Sequence, residues 1–189
     1  MIRIGILGDI GSGKSYISKS FGYPVFNADY EVSKLYKSDQ KTLKDLKKVL
    51  PGYFHSLPID KKKVLEAIFA NKNNLKKIIN VVHKQIRRKL RFFLIKNKKQ
   101  KIVILDIPLL LENKLNNKDD VLIFVSSRKK DIMSRLKKRS NFNSKILKIF
   151  RNIQLPLEQK KNKAQFTIKN NFTKKTINLE IKNILSKIL

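Results

Sequence analysis

The feature that most constrains the fold is a glycine-containing turn near the start of the chain, residues 8–15 (GDIGSGKS), which has the pattern G-x-x-x-x-G-K-[ST]. The preceding residues 2–7 (IRIGIL) form an apolar run that predicts a buried strand, and a helix is predicted to begin at Lys14. Glycines let the backbone bend so that successive N–H groups point at one anion, and the positive end of the helix dipole faces the same point. The turn is therefore predicted to bind phosphate groups.

Two side chains of this turn have a predicted chemistry of their own. Lys14 should reach the β- and γ-phosphates of a nucleoside triphosphate, and the Ser15 hydroxyl should be a ligand of Mg²⁺. The chain has six glycines and three of them lie in this turn, which has the strand before it and the helix after it that the pattern requires. An ordinary glycine-rich turn is the alternative interpretation, and this context argues against it.

The rest of the chain alternates between short apolar runs and longer segments with helical periodicity. Further strands are predicted at residues 23–26, 102–105, 121–125 and 166–168. Helices are predicted over residues 30–50, 60–98, 128–152 and 174–188, with loops at 51–58 and 113–120. Four or five short strands that alternate with helices predict an α/β fold, in which helices cover both faces of a parallel sheet.

The net charge is strongly positive, at +30, because 44 Lys and Arg residues stand against 14 Asp and Glu. Such a balance favours a polyanionic partner such as nucleic acid. However, 36 of the cations are Lys, they are scattered over the whole chain, and Lys, Asn and Ile together supply 77 of the 189 residues. An A+T-rich coding sequence produces this bias. We therefore expect no obligate nucleic-acid partner, although the charge should help to attract nucleotides.

Several functional classes are excluded by what the sequence lacks. Without cysteine the chain has no disulfide, thiolate zinc site or cysteine nucleophile, and two histidines, His55 and His83, are too few for a histidine-rich metal site. No apolar run is long enough to span a membrane, and the N-terminus lacks the features of a signal peptide. We expect a cytoplasmic protein without a membrane partner.

A GTPase is the obvious alternative for a chain with this phosphate-binding turn. Residues 117–120 (NKDD) match N-K-x-D, the guanine-binding pattern of that class. However, they precede the predicted strand 121–125 instead of following a strand, and the pattern D-x-x-G does not occur in the chain. The match is therefore interpreted as chance.

Two aspartates, Asp29 and Asp106, follow predicted strands at the edge where reactive groups gather in parallel sheets. Phosphoryl transfer needs one carboxylate to orient or deprotonate the attacking hydroxyl and often a second one near Mg²⁺. Capping of the next helix is the alternative role for Asp29. It is less favoured for Asp106, since the following Ile-Pro discourages an immediate helix.

Four of the eight arginines lie between residues 128 and 151, in a chain whose cations are mostly lysine. Arg135 and Arg139 are four residues apart and share one helical face. In nucleotide kinases a mobile basic lid closes over ATP and stabilises the charge on the transferring phosphoryl group. A solvated basic face is the alternative, but the choice of arginine favours contacts with phosphate.

Together these pieces resemble the dephospho-CoA kinase family over nearly the whole chain. The resemblance rests on the opening IGILGDIGSGKS, on PVFNAD at residues 24–29, on DKKKVLEAIF and NLKKIINVVH between 60 and 83, and on ILDIPLLLE at 104–112. It continues with RLKKR at 135–139, QLPLEQK at 154–160 and AQFTIKN at 164–170. The combination of LDIPLLLE with Q-x-P-L-E-x-K is far more specific than the phosphate-binding turn alone.

The resemblance implies a P-loop NTPase fold, a three-layer α/β/α core with a parallel five-stranded sheet, plus a helical substrate-binding insert and a lid. The core would comprise residues 1–30, 100–126 and 156–189, the insert that binds the CoA moiety residues 31–99, and the lid residues 127–155. The implied reaction is ATP-dependent phosphorylation of the ribose 3′-hydroxyl of dephospho-CoA, with ATP and Mg²⁺ as cofactors. A monomer or weak homo-oligomer is expected.

The resemblance also implies roles for individual residues. Asp29 would be the general base, while Lys14 and Arg139 would stabilise the transferring phosphoryl group. Ser15 would hold Mg²⁺, and Asn170 would lie near the ATP base. The implied nucleotide-binding residues are Gly8, Gly11, Ser12, Gly13, Lys14, Ser15, Tyr16, Arg139 and Asn170. The implied substrate-binding residues are Asp29, His83, Asp106, Leu110 and Glu112.

The chain also departs from the family pattern at certain positions. Asp9 stands inside the phosphate-binding turn, where the family has glycine or another small residue. Asn27 replaces the first aspartate of D-A-D, and Phe172 replaces a glycine. The carboxylate of Asp9 would oppose a triphosphate unless it pointed away or paired with a lid arginine. Because the implied catalytic side chains are retained, we predict an active enzyme, with Asp9 as the first residue expected to slow turnover.

Two other functions share some of these features. A kinase of the same fold that acts on a nucleoside or nucleotide would have the same phosphate-binding turn and lid, but LDIPLLLE and the 31–99 insert argue against it. A basic nucleic-acid-binding protein with a residual nucleotide site would need concentrated basic surface and strongly salt-dependent binding.

Overall fold

The computed structural model describes residues 1–140 and 142–189. Its elements in chain order are β1 (Ile2–Gly8), α1 (Lys14–Ser20), β2 (Val25–Asn27), α2 (Ala28–Ser38), α3 (Gln40–Val49), α4 (Lys61–Ala70), α5 (Lys72–Lys96), β3 (Ile102–Asp106), β4 (Val121–Ser126), α6 (Lys129–Lys137), α7 (Ser144–Asn152), α8 (Leu157–Asn162), β5 (Phe166–Lys169) and α9 (Lys174–Ile188). They form two compact units, residues 1–27 with 97–189 and residues 28–96. The first unit contains the strands and the second contains α2 to α5.

The strands that the structure describes form one five-stranded parallel sheet in the order β2-β3-β1-β4-β5. The predicted parallel sheet is thus confirmed. The central position of β1 places the turn that follows it between the ends of β3 and β4. Because all strands run the same way, their carboxyl ends meet at one edge of the sheet, where ligands bind in folds of this class. At that edge Asn27 lies opposite Asp106, and Ser126 opposite Lys169.

Side chains of a strand point alternately to the two faces of the sheet, and here both faces are covered. On one face Ile4 of β1 packs with Ile17 of α1 and with apolar residues of α9 in a buried cluster. On the other face Leu110 packs over Gly5, where a Cβ would lie 2.6 Å from it, and helix α8 contacts β1. The predicted three-layer α/β/α architecture is therefore confirmed.

The helical unit is organised around the long helix α5, which contacts α2, α3 and α4. Leu35 of α2 and Ile86 of α5 are among its buried residues. Glu31 joins α2 to α5, because its carboxylate forms ion pairs with Lys34 at 2.9 Å and with Lys89 at 3.3 Å. Partial burial acts to raise the pKa of Glu31, but the two ammonium groups outweigh it, so that the pKa lies below its ordinary value.

Three helices that were predicted to be continuous are interrupted in the structure. The segments 30–50, 60–98 and 128–152 each contain two helices instead of one. Residue 141, inside the third segment, lies outside the described residues. The helices predicted to begin at Lys14 and to span 174–188 are confirmed.

Each of these breaks lies next to a side chain that caps the second helix. The carboxylate of Asp39 accepts a hydrogen bond from a backbone N–H three residues later, at 2.6 Å. Asn71 and Asn143 accept in the same way from an N–H two residues later, at 2.8 and 2.9 Å. A capping residue has extended backbone geometry, so it interrupts the helical path while satisfying N–H groups of the next helix.

Two shorter elements also differ from the prediction. Strand β2 begins at Val25 instead of residue 23, because Pro24 has no N–H; the Pro24 carbonyl still accepts a hydrogen bond from Ile104 N at 2.9 Å. Helix α8, which follows Pro156, was not predicted. Within the described ranges no helix combines the length and the apolar character needed to cross a membrane.

Candidate active site

The turn between β1 and α1 has the geometry of a phosphate cradle. Gly8, Gly11 and Gly13 all have positive φ, at 145°, 86° and 93°, a conformation that L side chains rarely adopt. At Gly13 there is also no room for a side chain, because a Cβ would overlap the amide of Asn170. Helix α1 begins at the next residue, so the positive end of its dipole adjoins the turn.

Lys14 is folded onto this turn. Its Nζ donates hydrogen bonds to the carbonyl oxygens of Gly8 at 3.1 Å and Asp9 at 2.7 Å. Ser15, the next residue, is exposed in the first turn of α1. The glycine geometry, the helix start and the ammonium group together fit the phosphate chain of a nucleotide. Among the described residues no group of three or more His, Cys, Asp or Glu side chains could hold a metal ion.

A second loop, which follows β5, braces the phosphate turn from the side. Asn170 is buried, and its Nδ2 donates to the carbonyl oxygen of Ser12 at 2.7 Å. The Ser127 hydroxyl donates to the same oxygen at 3.0 Å. Asn170 therefore holds the backbone of the phosphate turn, and its position near the ATP base stays a prediction.

The same loop carries Phe172, whose ring contacts Arg135 of α6. The N–H of Phe172 donates to Asn170 Oδ1 at 2.8 Å, and Phe172 has a left-handed φ of 64°. The guanidinium of Arg135, on α6, lies 4.3 Å from the centre of the Phe172 ring, which is a cation–π contact. Arg135, in the predicted lid, is thereby held beside the loop that braces the phosphate turn.

Asp9 is paired with an arginine of the predicted lid, one of the two arrangements that the sequence required of it. Arg151, in the last turn of α7, donates from Nε to Asp9 Oδ1 at 3.2 Å and from Nη2 to Oδ2 at 2.6 Å. The N–H of Ile10 also donates to Oδ1, at 2.7 Å. The carboxylate of Asp9 is therefore engaged by three donors.

The two predicted strand-end aspartates have different surroundings. Asp106 is the last residue of β3 and is 3% exposed; its Oδ2 accepts a hydrogen bond from Asn27 Nδ2. Asp29 is exposed in the first turn of α2, two residues beyond the end of β2. Asp29 therefore has a surface that an incoming hydroxyl could contact, whereas Asp106 is enclosed.

Leu110 and Glu112 lie in the interior of the first unit. Leu110 has no exposed surface and packs against Gly5. The Glu112 carboxylate accepts a hydrogen bond from Leu155 N at 2.8 Å and forms an ion pair with Lys160 at 2.9 Å. Lys160 is only 1% exposed, so the LDIPLLLE and QLPLEQK motifs are joined by a buried ion pair.

The remaining predicted site residues lie at or near the surface. Tyr16, on α1, is 48% exposed, and Arg139, just after α6, is also exposed. His83 is half-buried on α5 of the helical unit. The roles assigned to these three side chains stay predictions.

The N-K-x-D segment forms a structural turn. Asp120 is 4% exposed, and its carboxylate pairs with Arg3 at 3.0 Å and accepts from Asn117 N at 2.9 Å. Burial raises the pKa of Asp120 above its ordinary value, although the Asn117 N–H and the Arg3 guanidinium oppose the shift. Since the carboxylate that would bind a guanine base is enclosed by Arg3, these contacts support the interpretation of a chance match.

Sequence reasoning missed the partners of several motif residues. Arg151, Lys160 and Ser127 were not singled out as site residues. Lys160 and Ser127 each contact a predicted one, and Arg151 contacts Asp9 inside the phosphate turn. The acidic residue inside the phosphate turn was the only signal for Arg151, because such a carboxylate needs a cation. The sequence carried no comparable signal for Ser127.

Comparison with known proteins places the chain in a family. A family model for dephospho-CoA kinase matches residues 2–175. The chain belongs to the dephospho-CoA kinase family. The dephospho-CoA kinase of Wolbachia sp. subsp. Brugia malayi is 32% identical over 190 residues, which cover 98% of this chain and 97% of that protein.

Solved structures agree with the dephospho-CoA kinase family assignment. TT1252 from Thermus thermophilus aligns with a TM-score of 0.77 at 25% identity and covers 100% of this chain and 98% of that one. Dephospho-CoA kinase from Campylobacter jejuni aligns with a TM-score of 0.64 at 27% identity and covers 98% and 96% of the two chains. The resemblance in the sequence motifs is thus confirmed, and ATP use follows from the kinase family.

Within the dephospho-CoA kinase family, the observed contacts explain two departures of this chain. The left-handed φ of Phe172 accounts for the glycine that the family has at that position, and the stacking of Arg135 on the ring gives the larger side chain a contact in return. Asn27, in place of an aspartate, donates a hydrogen bond to Asp106 instead of opposing it with a second negative charge.

Proposed function

We propose that the chain transfers the γ-phosphoryl group of ATP to the ribose 3′-hydroxyl of dephospho-CoA, giving CoA and ADP. One observation carries this proposal: a phosphate cradle with Lys14 folded into it, in a chain whose match to the dephospho-CoA kinase family covers residues 2–175. Membership of the family indicates dephospho-CoA as the acceptor, and the cradle indicates where ATP, the donor, would bind.

The phosphate chain of ATP is held by the backbone N–H groups of residues 8–15 and by Lys14. For Lys14 this means exchanging the carbonyl oxygens of Gly8 and Asp9 for phosphate oxygens. The Ser15 hydroxyl is the side chain that would hold Mg²⁺, which when bound neutralises part of the charge on the phosphates. Arg139 would add positive charge from the lid as the phosphoryl group transfers.

Asp29 is the proposed general base. Its carboxylate takes the proton of the 3′-hydroxyl while the hydroxyl oxygen forms a bond to the γ-phosphorus. The bond from the γ-phosphorus to the bridging oxygen breaks, and ADP leaves with that electron pair. Exposure on the first turn of α2 supports this role for Asp29, whereas the burial of Asp106 and its hydrogen bond to Asn27 support a positioning role.

The other parts of the chain receive the substrate and cover ATP. Residues 31–99 would bind the CoA moiety, with His83 among the contacts, and residues 127–155 would close over ATP as a lid. Closure would exclude water and thereby suppress wasteful ATP hydrolysis. We place the protein in the cytoplasm, as a monomer or weak homo-oligomer.

ADP release measured with a panel of acceptors tests the proposed substrate. Dephospho-CoA should stimulate ADP release strongly, whereas nucleosides, nucleotides and shikimate should not. Stimulation by a nucleoside and none by dephospho-CoA would overturn the assignment in favour of another small-molecule kinase. Tight RNA binding at moderate salt together with no stimulation by any acceptor would favour a nucleic-acid-binding protein instead.

A further inference from the structure

We propose that Arg151 is a charge-compensating residue of the phosphate-binding turn, one that allows a turn carrying its own carboxylate to accept ATP. The inference rests on the proposed function, because it takes a nucleoside triphosphate as the ligand. It assigns to Arg151 a role in donor binding, and it makes Asp9 and Arg151 a functional pair.

The contact between the two residues is bidentate. Arg151 Nε and Nη2 meet the two carboxylate oxygens of Asp9 at 3.2 and 2.6 Å. This is the parallel two-bond geometry that a planar guanidinium forms with a carboxylate and that a lysine ammonium cannot reproduce. The Asp9 side chain is 12% exposed and that of Arg151 is 40% exposed, so the pair lies partly shielded from water, where charges act more strongly than at the surface.

The two cations at the turn have different acceptors on the same residue. Lys14 Nζ donates to the main-chain carbonyl oxygen of Asp9, whereas Arg151 takes the side-chain carboxylate. When phosphate enters, Lys14 exchanges a neutral carbonyl oxygen for a charged one. Arg151 has to stay on the carboxylate, since a bare negative charge in the turn would repel the incoming triphosphate.

The buried ion pair between Lys160 and Glu112 holds Arg151 in place through a chain of hydrogen bonds. The Arg151 carbonyl oxygen accepts a hydrogen bond from Gln154 N at 3.1 Å, and the Gln154 side chain accepts from Lys160 Nζ at 2.9 Å. Lys160 in turn pairs with Glu112, which also accepts from Leu155 N. The C-terminal end of α7 is thus tied to the interior of the first unit, and the guanidinium is positioned at the turn before any ligand binds.

A double-mutant cycle on ATP affinity tests this role. The proteins are the unaltered chain, Asp9→Asn, Arg151→Met and the double variant, with Lys145→Met as a control that removes one exposed positive charge from the same helix. Isothermal titration calorimetry measures the Kd for ATP and for adenosine, which lacks phosphates. Thermal unfolding without ligand shows whether each variant is folded.

Removing Arg151 alone should raise the Kd for ATP at least tenfold, because it leaves Asp9 uncompensated, and should leave the Kd for adenosine unchanged. Adding Asp9→Asn should return the Kd for ATP to within about threefold of the original, since the repulsive charge is then gone. Lys145→Met should bind ATP as well as the unaltered chain does, whereas Asp9→Asn should bind it more tightly, because the negative charge that Arg151 offsets is then gone from the turn.

Two results would overturn the inference. One is an Arg151→Met protein that binds ATP as tightly as the unaltered chain; the other is a double variant as weak as Arg151→Met, which would make Arg151 a direct phosphate ligand. Should Arg151→Met fail to fold, Arg151→Gln replaces it, because it also removes the charge, and the loss and its rescue by Asp9→Asn are judged in the same way. If the unaltered chain binds ATP but forms no CoA, the proposed function fails while the cycle still decides the role of Arg151.

Discussion

At the scale of single residues, Gly13 shows why the phosphate-binding turn is built from glycines. Its φ of 93° favours a residue without a side chain, and the amide of Asn170 occupies the place where a Cβ would lie. The contact lets Asn170 hold the Ser12 carbonyl. The turn is therefore fixed from two sides, by its own backbone and by the loop after β5.

Gly13→Ala should damage both the turn and its ligand binding. The strained φ and the displaced amide should lower the free energy of unfolding by about 1–3 kcal/mol, and the Kd for ATP should rise at least tenfold. Urea denaturation and calorimetry measure the two effects. Gly52→Ala is the matched control, because nothing lies within 4 Å of a Cβ there. Equal ATP affinity in the two variants would show that the close approach at Gly13 is unimportant.

Substitution of Asp29 and of Asp106 should have different effects on turnover. Asp29→Asn should lower kcat by about 10²–10⁴-fold, the usual contribution of a general base, with the Kd for ATP unchanged. Asp106→Asn should have the smaller effect on kcat, because its buried side chain is already engaged with Asn27. Steady-state kinetics and calorimetry on both variants measure this difference. A larger loss of kcat in Asp106→Asn would reverse the assignment of the base.

At the scale of elements, the sequence predicted what is local and missed what is distant. The strand and helix around the turn at residues 8–15 and the helix α9 follow from patterns within a few residues, and these structural predictions are confirmed. The breaks at Asp39, Asn71 and Asn143 were missed because apolar periodicity continues across them. Asp and Asn are residue types that favour the N-cap of a helix, and this was the signal in the sequence that could have located the breaks.

Contacts between distant segments could not be predicted from periodicity. Arg151 and Asp9 are 142 positions apart, and Leu155 and Glu112 are 43 apart. Which arginine reaches the turn depends on the path of the chain after α6, and the sequence pattern does not specify that path. The charge of Asp9 indicated that a partner was needed, but the fold determines its identity.

The buried ion pair between Lys160 and Glu112 should be essential to the stability of the first unit. Lys160→Met leaves a carboxylate in the interior without its cation and should lower the free energy of unfolding by about 3–5 kcal/mol. Lys161→Met is the matched control, because that side chain is exposed and should change stability by less than about 0.5 kcal/mol. Urea denaturation measures both. A Lys160→Met protein as stable as the control would contradict the role of the pair.

At the scale of the whole molecule, the cations fall into two groups: a few that are paired with acidic side chains, and an excess that has no acidic counterpart. Acidic residues at structural points are paired with cations, as Asp9 is with Arg151 and Asp120 with Arg3. With 44 cations against 14 acidic residues, most lysines have no acidic counterpart in the chain. This excess should speed the encounter with anionic ligands such as ATP without determining which acceptor is used.

The most direct test of the proposed reaction is mass spectrometry of the acceptor after incubation of the full chain with ATP, Mg²⁺ and dephospho-CoA. We predict a product heavier by one phosphoryl group that co-elutes with authentic CoA, formed in equal amount with ADP and absent when Lys14→Met replaces the unaltered protein. Unchanged dephospho-CoA in a sample that binds ATP, or a phosphate at a position other than the ribose 3′-hydroxyl, would contradict the proposed function.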